Sequence, residues 1–187
     1  MIISGYHDEK GPIDLTVDKY GKSLITQGPE HYMTHEGYHF ILSHYFSSVN
    51  TDGTAEILFT TGDKFLHAIF YVSASAGVIS AVYENPGKAY VYDNRLQPIS
   101  RNRSQIKAHS LTNACYTPSG SGNGTAIFGP FPIGAGGNAN ASFPASGRDV
   151  NEYLLKRNTK YLLVATSLSN GNKINLGSDF YERIATY

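Results

Sequence analysis

Apolar and polar residues alternate along most of the chain after residue 37, and this period of two is typical of half-buried β-strands. The first such segment covers residues 35–46 and reads HEGYHFILSHYF. In an extended backbone one face of this segment would carry Tyr38, Phe40, Leu42 and Phe46, and the other His39, Ser43, Tyr45 and Ser47. We therefore expect an extended backbone through this histidine-rich run, ended by turn residues at 47–53.

Further alternating segments are separated by turn signals rich in Gly, Asn, Pro and Ser. We expect strands at residues 55–59, 66–72, 79–83 and 125–128, a short piece at 89–92 and a weaker candidate at 105–116. The last pair, 160–168 and 173–180, is joined by Asn170-Gly171, which favours a tight hairpin. About eight or nine strands with almost no helical periodicity predict an all-β fold, an antiparallel β-sandwich of jelly-roll or Greek-key type.

Residues 1–34 differ from the rest of the chain. They mix acids and lysines with Gly-Pro breakers at 11–12 and 28–29. We expect an N-terminal arm or irregular lead-in with at most one short strand, near residues 23–26, followed by a β-sandwich domain at 35–187.

The same histidine-rich run spells H-E-x-x-H at residues 35–39, the pattern of a zinc protease. A zinc site of this kind needs His35 and His39 one helical turn apart, with Glu36 as the general base. Gly37 costs a helix roughly 1 kcal/mol relative to Ala, and the neighbouring aromatic residues favour a strand. The strand interpretation is therefore preferred, and no metal ligand is predicted.

Charge and cysteine content narrow the class of protein. The 187 residues include 15 basic and 15 acidic side chains, so the formal charge is zero and neither nucleic acid nor an anionic membrane is an expected partner. A single cysteine, Cys115, excludes an internal disulfide and is expected to pack as a small buried apolar group. No signal peptide or membrane span is visible, so we expect synthesis in a cytoplasm.

Motifs for catalysis are missing. The chain has no phosphate-binding G-x-x-x-x-G-K-S/T, no strand-linked G-x-G-x-x-G and no G-x-S-x-G. The acids within predicted strands are expected on solvated faces or at strand ends: Glu56, Glu84, Asp179 and Glu182. We predict no catalytic residue and no cofactor, and therefore a protein that is not an enzyme.

Two stretches are candidates for protein contact. Residues 108–147 contain no Asp, Glu, Lys or Arg, and their apolar side chains include Phe128, Phe131, Ile133 and Phe143. An uncharged, apolar loop of this length suggests a buried subunit contact. The second stretch carries Arg101 and Arg103; it is either a basic contact patch or a solvated loop whose arginines pair with carboxylates elsewhere.

The order of several blocks resembles a family of small structural proteins of tailed bacteriophages, the head decoration or cement proteins. These blocks include HEGYHFILSHYF, DKFLHAIFYV, PISRNRSQ, GRDVNEYLLKRNTKYLLVATS and KINLGSDFYE. The resemblance covers roughly residues 31–183, and its most specific pieces include Arg101–Ser104 and the Gly-Arg-Asp at 147–149, which adds Arg148 to the candidate contacts.

The resemblance implies a β-sandwich that sits on the major capsid protein, on the outer surface of the virion, and reinforces the shell. It also suggests a symmetric homo-oligomer, a trimer more readily than a dimer. The alternative is a tail- or fibre-associated module that binds host glycan through tyrosine-rich faces, although the chain has no Trp, the residue with the largest stacking surface.

Overall fold

A computed structural model of the chain describes residues 4–7, 11–14, 29–105, 107–134, 141–143 and 152–183. The chain divides into two compact units, Met1–Tyr32 and Met33–Tyr187. In the first unit, strands β1 (Ser4–His7) and β2 (Gly11–Asp14) pair antiparallel, with Tyr6 opposite Pro12. The expectation of at most one strand in this region is therefore wrong, and the strand expected at 23–26 lies outside the described residues.

A short helix, α1 (Pro29–His35), precedes the first long strand. Gly37 ends it with a positive φ of 82°, the backbone N–H of Tyr38 bonds to Met33 O, and that of Gly37 bonds to Thr34 O. This pair of bonds around a left-handed glycine is the Schellman motif of helix C-termini. The prediction of an extended backbone is thus wrong at His35, which is helical, and is confirmed from His39 onward.

The sandwich consists of two antiparallel sheets. Among the described residues, the first sheet has six strands: β3 (His39–Val49), β5 (Phe65–Ala74), β7 (Ile99–Ser100), β10 (Ala141–Phe143), β11 (Tyr153–Leu155) and β13 (Asn172–Arg183). The second has five: β4 (Thr54–Thr60), β6 (Val78–Glu84), β8 (Asn113–Tyr116), β9 (Thr125–Ile133) and β12 (Lys160–Ser167). The predicted all-β antiparallel sandwich is confirmed.

The core lies between the two sheets and uses the alternation seen in the sequence. Phe40, Leu42 and Phe180 project inward from the first sheet, and Ile57 and Leu163 from the second; all belong to one buried cluster. Burying each such side chain contributes roughly 1.5–3 kcal/mol. Hydrophobic burial therefore fixes which face of each strand is internal, and with it which residues remain available for function.

The last two strands occupy the centre of both sheets. The first sheet has the order β10-β5-β13-β3-β7, with β11 also paired to β5, and the second has the order β8-β4-β12-β6-β9. β12 and β13 therefore lie in different sheets, and the turn containing Gly171, at φ 66°, passes from one sheet to the other. The predicted hairpin is wrong because each strand finds its hydrogen-bonding partners earlier in the chain, β4 and β6 for β12, and β3 and β5 for β13.

Two weaker strand predictions also differ from the structure. The piece expected at 89–92 forms only an isolated bridge at Ala89, followed by a 3-10 helix at Tyr92–Asn94. Within the uncharged stretch, β8 falls inside the weaker candidate at 105–116 and β9 begins at the strand expected at 125–128, so both are confirmed in part. The later half, expected to be a loop, instead continues β9 to Ile133 and contains β10. Proline is tolerated on an edge strand because its missing N–H points away from the sheet, and β9, which contains Pro130 and Pro132, lies at an edge.

Candidate functional site

The edge strands β9 and β10 bring together most of the predicted contact residues. β9 ends the second sheet beside β6, and β10 ends the first sheet beside β5. Phe128 and Phe131 of β9 pack against each other with ring centroids 5.0 Å apart, and Phe131 remains 49% exposed. We call strands β9 and β10 the β9–β10 edge.

Side chains, rather than backbone groups, are what β9 offers to a partner. An edge strand normally presents unpaired N–H and C=O groups to which another strand can add. Pro130 and Pro132 remove two N–H donors from β9, and several of its side chains are exposed. β9 is therefore suited to contact through phenyl and prolyl side chains and unsuited to strand addition.

The remaining apolar candidates differ in their positions. Ile133 is buried, in register with Val78, and belongs to the core rather than to the surface. Phe143 lies in register with Val72 on β10. Of the predicted apolar contacts, only Phe131, with Phe128 behind it, is shown to present its side chain to solvent, and it does so between the exposed Pro130 and Pro132.

The predicted arginines are elsewhere. Arg101 follows β7, at the edge of the first sheet opposite β10, and Nη2 of Arg101 lies 2.7 Å from Oδ2 of Asp179. This ion pair is what is expected if the basic stretch is a solvated loop whose arginines pair with carboxylates elsewhere. Arg103 is exposed, and Arg148 lies outside the described residues, so the seven candidates do not form one surface.

A polar cluster that the sequence did not predict lies on the outer face of the first sheet. His39 Nε2 donates to Asp179 Oδ1 at 2.6 Å, because a carboxylate can only accept. In its neutral form the ring then accepts at Nδ1 from the Thr34 hydroxyl, also at 2.6 Å. His39 thus joins the last turn of α1 to the central strand β13, and neither ring nitrogen faces a metal site.

Strands β3, β13 and β5 place further aromatic groups on this outer face, which we call the β3–β13–β5 face. Tyr181 stacks on His67 with ring centroids 4.6 Å apart, and Glu152 lies 3.3 Å from His67 Nδ1. Burial raises the pKa of Tyr71; its hydrogen bond with Ser43 opposes this rise. The face therefore combines aromatic rings with charged groups that already have partners.

The H-E-x-x-H pattern does not form a metal site of the protease type. His35 is the last residue of α1, His39 is the first residue of β3, and Gly37 turns the backbone between them. The two imidazoles are therefore not one helical turn apart. In the part of the chain that the structure describes, no group of three or more His, Cys, Asp or Glu side chains is arranged to hold a metal ion.

Two acids expected on solvated faces are buried instead. Glu182 is 2% exposed, bonded to Lys64 Nζ at 3.1 Å and to the backbone N–H of Ser110. Glu56 is also buried and lies 2.8 Å from Lys88 Nζ. Pairing with an ammonium group offsets the cost of removing each carboxylate from water.

Cys115 packs as predicted. It is buried with Leu58, Leu162 and Val164 on the outer face of the second sheet, where Tyr83 and Tyr90 pack against the group. Burial raises the pKa of its thiol, which disfavours the reactive thiolate. The expectation of an inert apolar cysteine is confirmed with respect to burial.

The described helices are all too short or too polar to cross a bilayer. Comparisons with protein-family models, with curated proteins and with solved structures give no match to this chain.

Proposed function

We propose that this chain is a non-enzymatic structural protein of a tailed-bacteriophage particle, which binds the major capsid protein on the outer surface of the head and stabilises the shell. The observation that carries the proposal is the β9–β10 edge, where Phe131 is half exposed on an uncharged strand. Exposed apolar side chains grouped on a folded domain are typical of protein contact surfaces. The resemblance of the sequence blocks to decoration proteins is the reason for proposing the major capsid protein as the partner.

The strand order supports a jelly roll for this sandwich. Setting the extra edge strands aside, the first sheet runs β3-β13-β5-β10 and the second β4-β12-β6-β9. In chain order these eight strands form two interleaved sets, with late strands filling the gaps between early ones, as in two Greek keys. We propose that topology as the rigid frame that holds the β9–β10 edge.

The neutral charge of the chain supports a position on the outer surface of the head. The 15 basic and 15 acidic residues balance, whereas a protein facing packaged DNA gains affinity from excess positive charge. Two described acids, Glu56 and Glu182, are moreover neutralised within the fold by lysines. A contact made by apolar side chains needs no excess charge on the protein, which is consistent with the neutral chain and its internally paired acids.

The mechanism we propose is mass action. A protein that binds the assembled shell and not its free subunits adds RT ln(1 + [L]/Kd) per site to the stability of the shell, about 2.7 kcal/mol at one hundred times Kd. A homo-oligomer, which we propose to be a trimer, would multiply the contacts made at each symmetric position.

Particles lacking the protein test this proposal. Shells without it should release DNA at a lower temperature than complete particles, and added wild-type protein should restore the difference. Phe131→Asp protein should restore less, because a carboxylate would have to be desolvated in an apolar contact. Tyr92→Asp, at a 70% exposed position on the 3-10 helix, is the matched control and should restore fully. Equal thermal release with and without the protein would remove the shell role.

A glycan-binding module of the tail or fibre is the second candidate, favoured by the tyrosines of the β3–β13–β5 face. Tyr45 is 55% exposed there, and Tyr71 lies two strands away. Copy number separates the two locations: a shell protein is present in hundreds of copies per particle and a tail module in a few. Quantitative mass spectrometry of purified particles would measure it.

A further inference from the structure

We call one half of the β3–β13–β5 face the open half. It carries Tyr45, Asn175 and Ser73 in one row and Ser43, Gly177 and Tyr71 in the next, as the strand register places them. Tyr45 pairs with Asn175, which pairs on its other side with Ser73. In the next outward-facing row, Ser43 pairs with Gly177, which pairs with Tyr71. Tyr45, Ser43 and Ser73 are exposed. The two tyrosines lie roughly 12 Å apart between Cα atoms, from strand spacings of about 4.8 Å and residue rises of about 3.4 Å.

Gly177 is what allows Tyr71 to lie across the sheet. A Cβ at residue 177 would stand 2.6 Å from Tyr71 Oη and 2.7 Å from its Cζ. The phenol end of Tyr71 therefore covers the glycine of the neighbouring strand, and its hydroxyl shares a hydrogen bond with Ser43 on the strand beyond. A side chain that crosses the central strand in this way forms an aromatic platform close to the sheet.

Charges beside this platform are balanced. Asp179, in the adjacent row, is held by Arg101 at 2.7 Å and by His39 at 2.6 Å. The Arg101 side chain is still 47% exposed, so the guanidinium keeps N–H donors for a ligand. A face with aromatic platforms, hydroxyl and amide groups and a compensated ion pair suits a neutral polyhydroxyl ligand better than an ion.

We propose that the open half of the β3–β13–β5 face binds a neutral saccharide. Tyr71 and Tyr45 are its stacking surfaces, separated by a span that a short oligosaccharide can bridge. Ser43, Asn175 and Arg101 donate or accept hydrogen bonds with the sugar hydroxyls. This proposal rests on the glycan-binding candidate and deepens it by naming the site. The site uses none of the side chains of the β9–β10 edge, although β10 pairs with β5, and it is compatible with either a head or a tail location.

Titration of the full-length protein with tetrasaccharides of glucose, galactose, mannose and N-acetylglucosamine tests the proposal. We expect at least one to bind with a Kd of about 1 mM or tighter, the weak range typical of a few contacts. NMR chemical-shift changes should map to β3, β5 and β13. Tyr45→Ala should weaken binding about tenfold, which corresponds to a loss of about 1.4 kcal/mol from the stacking of one exposed ring. Tyr92→Ala removes an exposed tyrosine elsewhere and should leave the Kd unchanged.

Three results would overturn the saccharide site: no binding of any of the four sugars, binding that Tyr45→Ala leaves unchanged, or equal loss in Tyr45→Ala and Tyr92→Ala. Because Tyr45 is exposed, its truncation tests binding without disturbing the core. The thermal release of DNA from particles carrying Tyr45→Ala reports separately on the shell proposal. Lost sugar binding with unchanged particle stability would support two independent surfaces.

Discussion

At the residue scale, two lysine–glutamate pairs have similar distances and different burial. Lys64 Nζ lies 3.1 Å from Glu182, whose side chain is fully buried, whereas Lys156 Nζ lies 2.7 Å from Glu84 with the lysine 71% exposed. Removal of one partner from a buried pair leaves an uncompensated charge. An exposed pair of the same kind contributes little because water and salt screen it.

Lys64→Met should therefore destabilise the fold by about 2–4 kcal/mol, because Glu182 would keep only its bond from the Ser110 N–H. Urea unfolding of the variant and the wild type measures the difference. Lys156→Met is the matched control, with an expected loss of about 0–1 kcal/mol. Equal effects of the two substitutions would contradict the burial argument.

Tyr161 predicts an alkaline dependence of stability. Burial, with Glu84 nearby, raises the pKa of Tyr161 to about 12 from the ordinary tyrosine value of 10.0. Between these pH values the folded state binds more protons than the unfolded state, so stability from this group is complete below about pH 10 and falls as pH rises towards 12. Urea unfolding should show a smaller loss between pH 9 and about 11.5 in Tyr161→Phe than in the wild type.

The same substitution has a separate cost near neutral pH. The Tyr161 hydroxyl donates to Glu84 and accepts from the Lys156 N–H, so Tyr161→Phe should lower stability at pH 7 by about 1 kcal/mol. Tyr83→Phe, with a half-buried ring on the same sheet, controls for a general tyrosine effect. A slope in Tyr161→Phe as steep as in the wild type would assign the alkaline loss to other groups.

At the level of single strands and helices, the local alternation of apolar and polar residues is sufficient to place most of the strands. The alternation in β3, β4, β5, β6 and β12 placed those strands within a few residues of their observed bounds. Pro29 and Gly37 carry the known asymmetry of proline at a helix start and glycine after its end. The two residues therefore mark both ends of α1, although the breakers and the alternation predict an irregular arm up to residue 34 and a strand from residue 35.

The β9 strand shows the opposite case. Residues 125–128 are predicted as a strand, but the glycine and prolines at 129–132 are typical of a loop. At those positions nothing local distinguishes an edge strand with tolerated prolines from an irregular segment. Pairing with β6 decides it, from Glu84 opposite Thr125 to Val78 opposite Ile133. Phe131 and Ile133 are two residues apart on the same face of β9, opposite Ser80 and Val78. Their different burial is therefore set by tertiary packing and not by the alternation, which makes them equal candidates in the sequence.

At the scale of the whole molecule, the chain cannot complete either sheet before its last strands are present. β12 and β13 supply the central partners of β4, β6, β3 and β5. Without them each sheet would be split and much of the buried surface exposed to water. Folding of the sandwich therefore depends on pairings between residues far apart in sequence.

A chain ending at residue 159 should consequently fail to fold, with no dispersed NMR amide spectrum and no cooperative thermal transition. A chain ending at Arg183 retains every described strand and serves as the control, with an expected native-like spectrum. Cooperative unfolding of the shorter chain would show that the remaining strands form a stable core without the central pair.

Four properties of the chain follow from its amino-acid pattern alone: the fold class, the inward face of most strands, the neutral charge and the burial of Cys115. These are local properties, since alternation and residue type act on every strand alike. Glu182 shares the phase of Ile174, Leu176 and Phe180 along β13, so even its burial had a signal in the pattern.

The pairing of strands in the folded protein sets which strands are neighbours, and therefore which side chains meet. Asp179 joins Arg101, His39 and the Thr34 turn because β13 lies beside β3. Tyr71 crosses Gly177 because β13 lies equally beside β5. Strand pairing is chosen by the packing of the whole core, and one chain's local pattern is compatible with several such pairings.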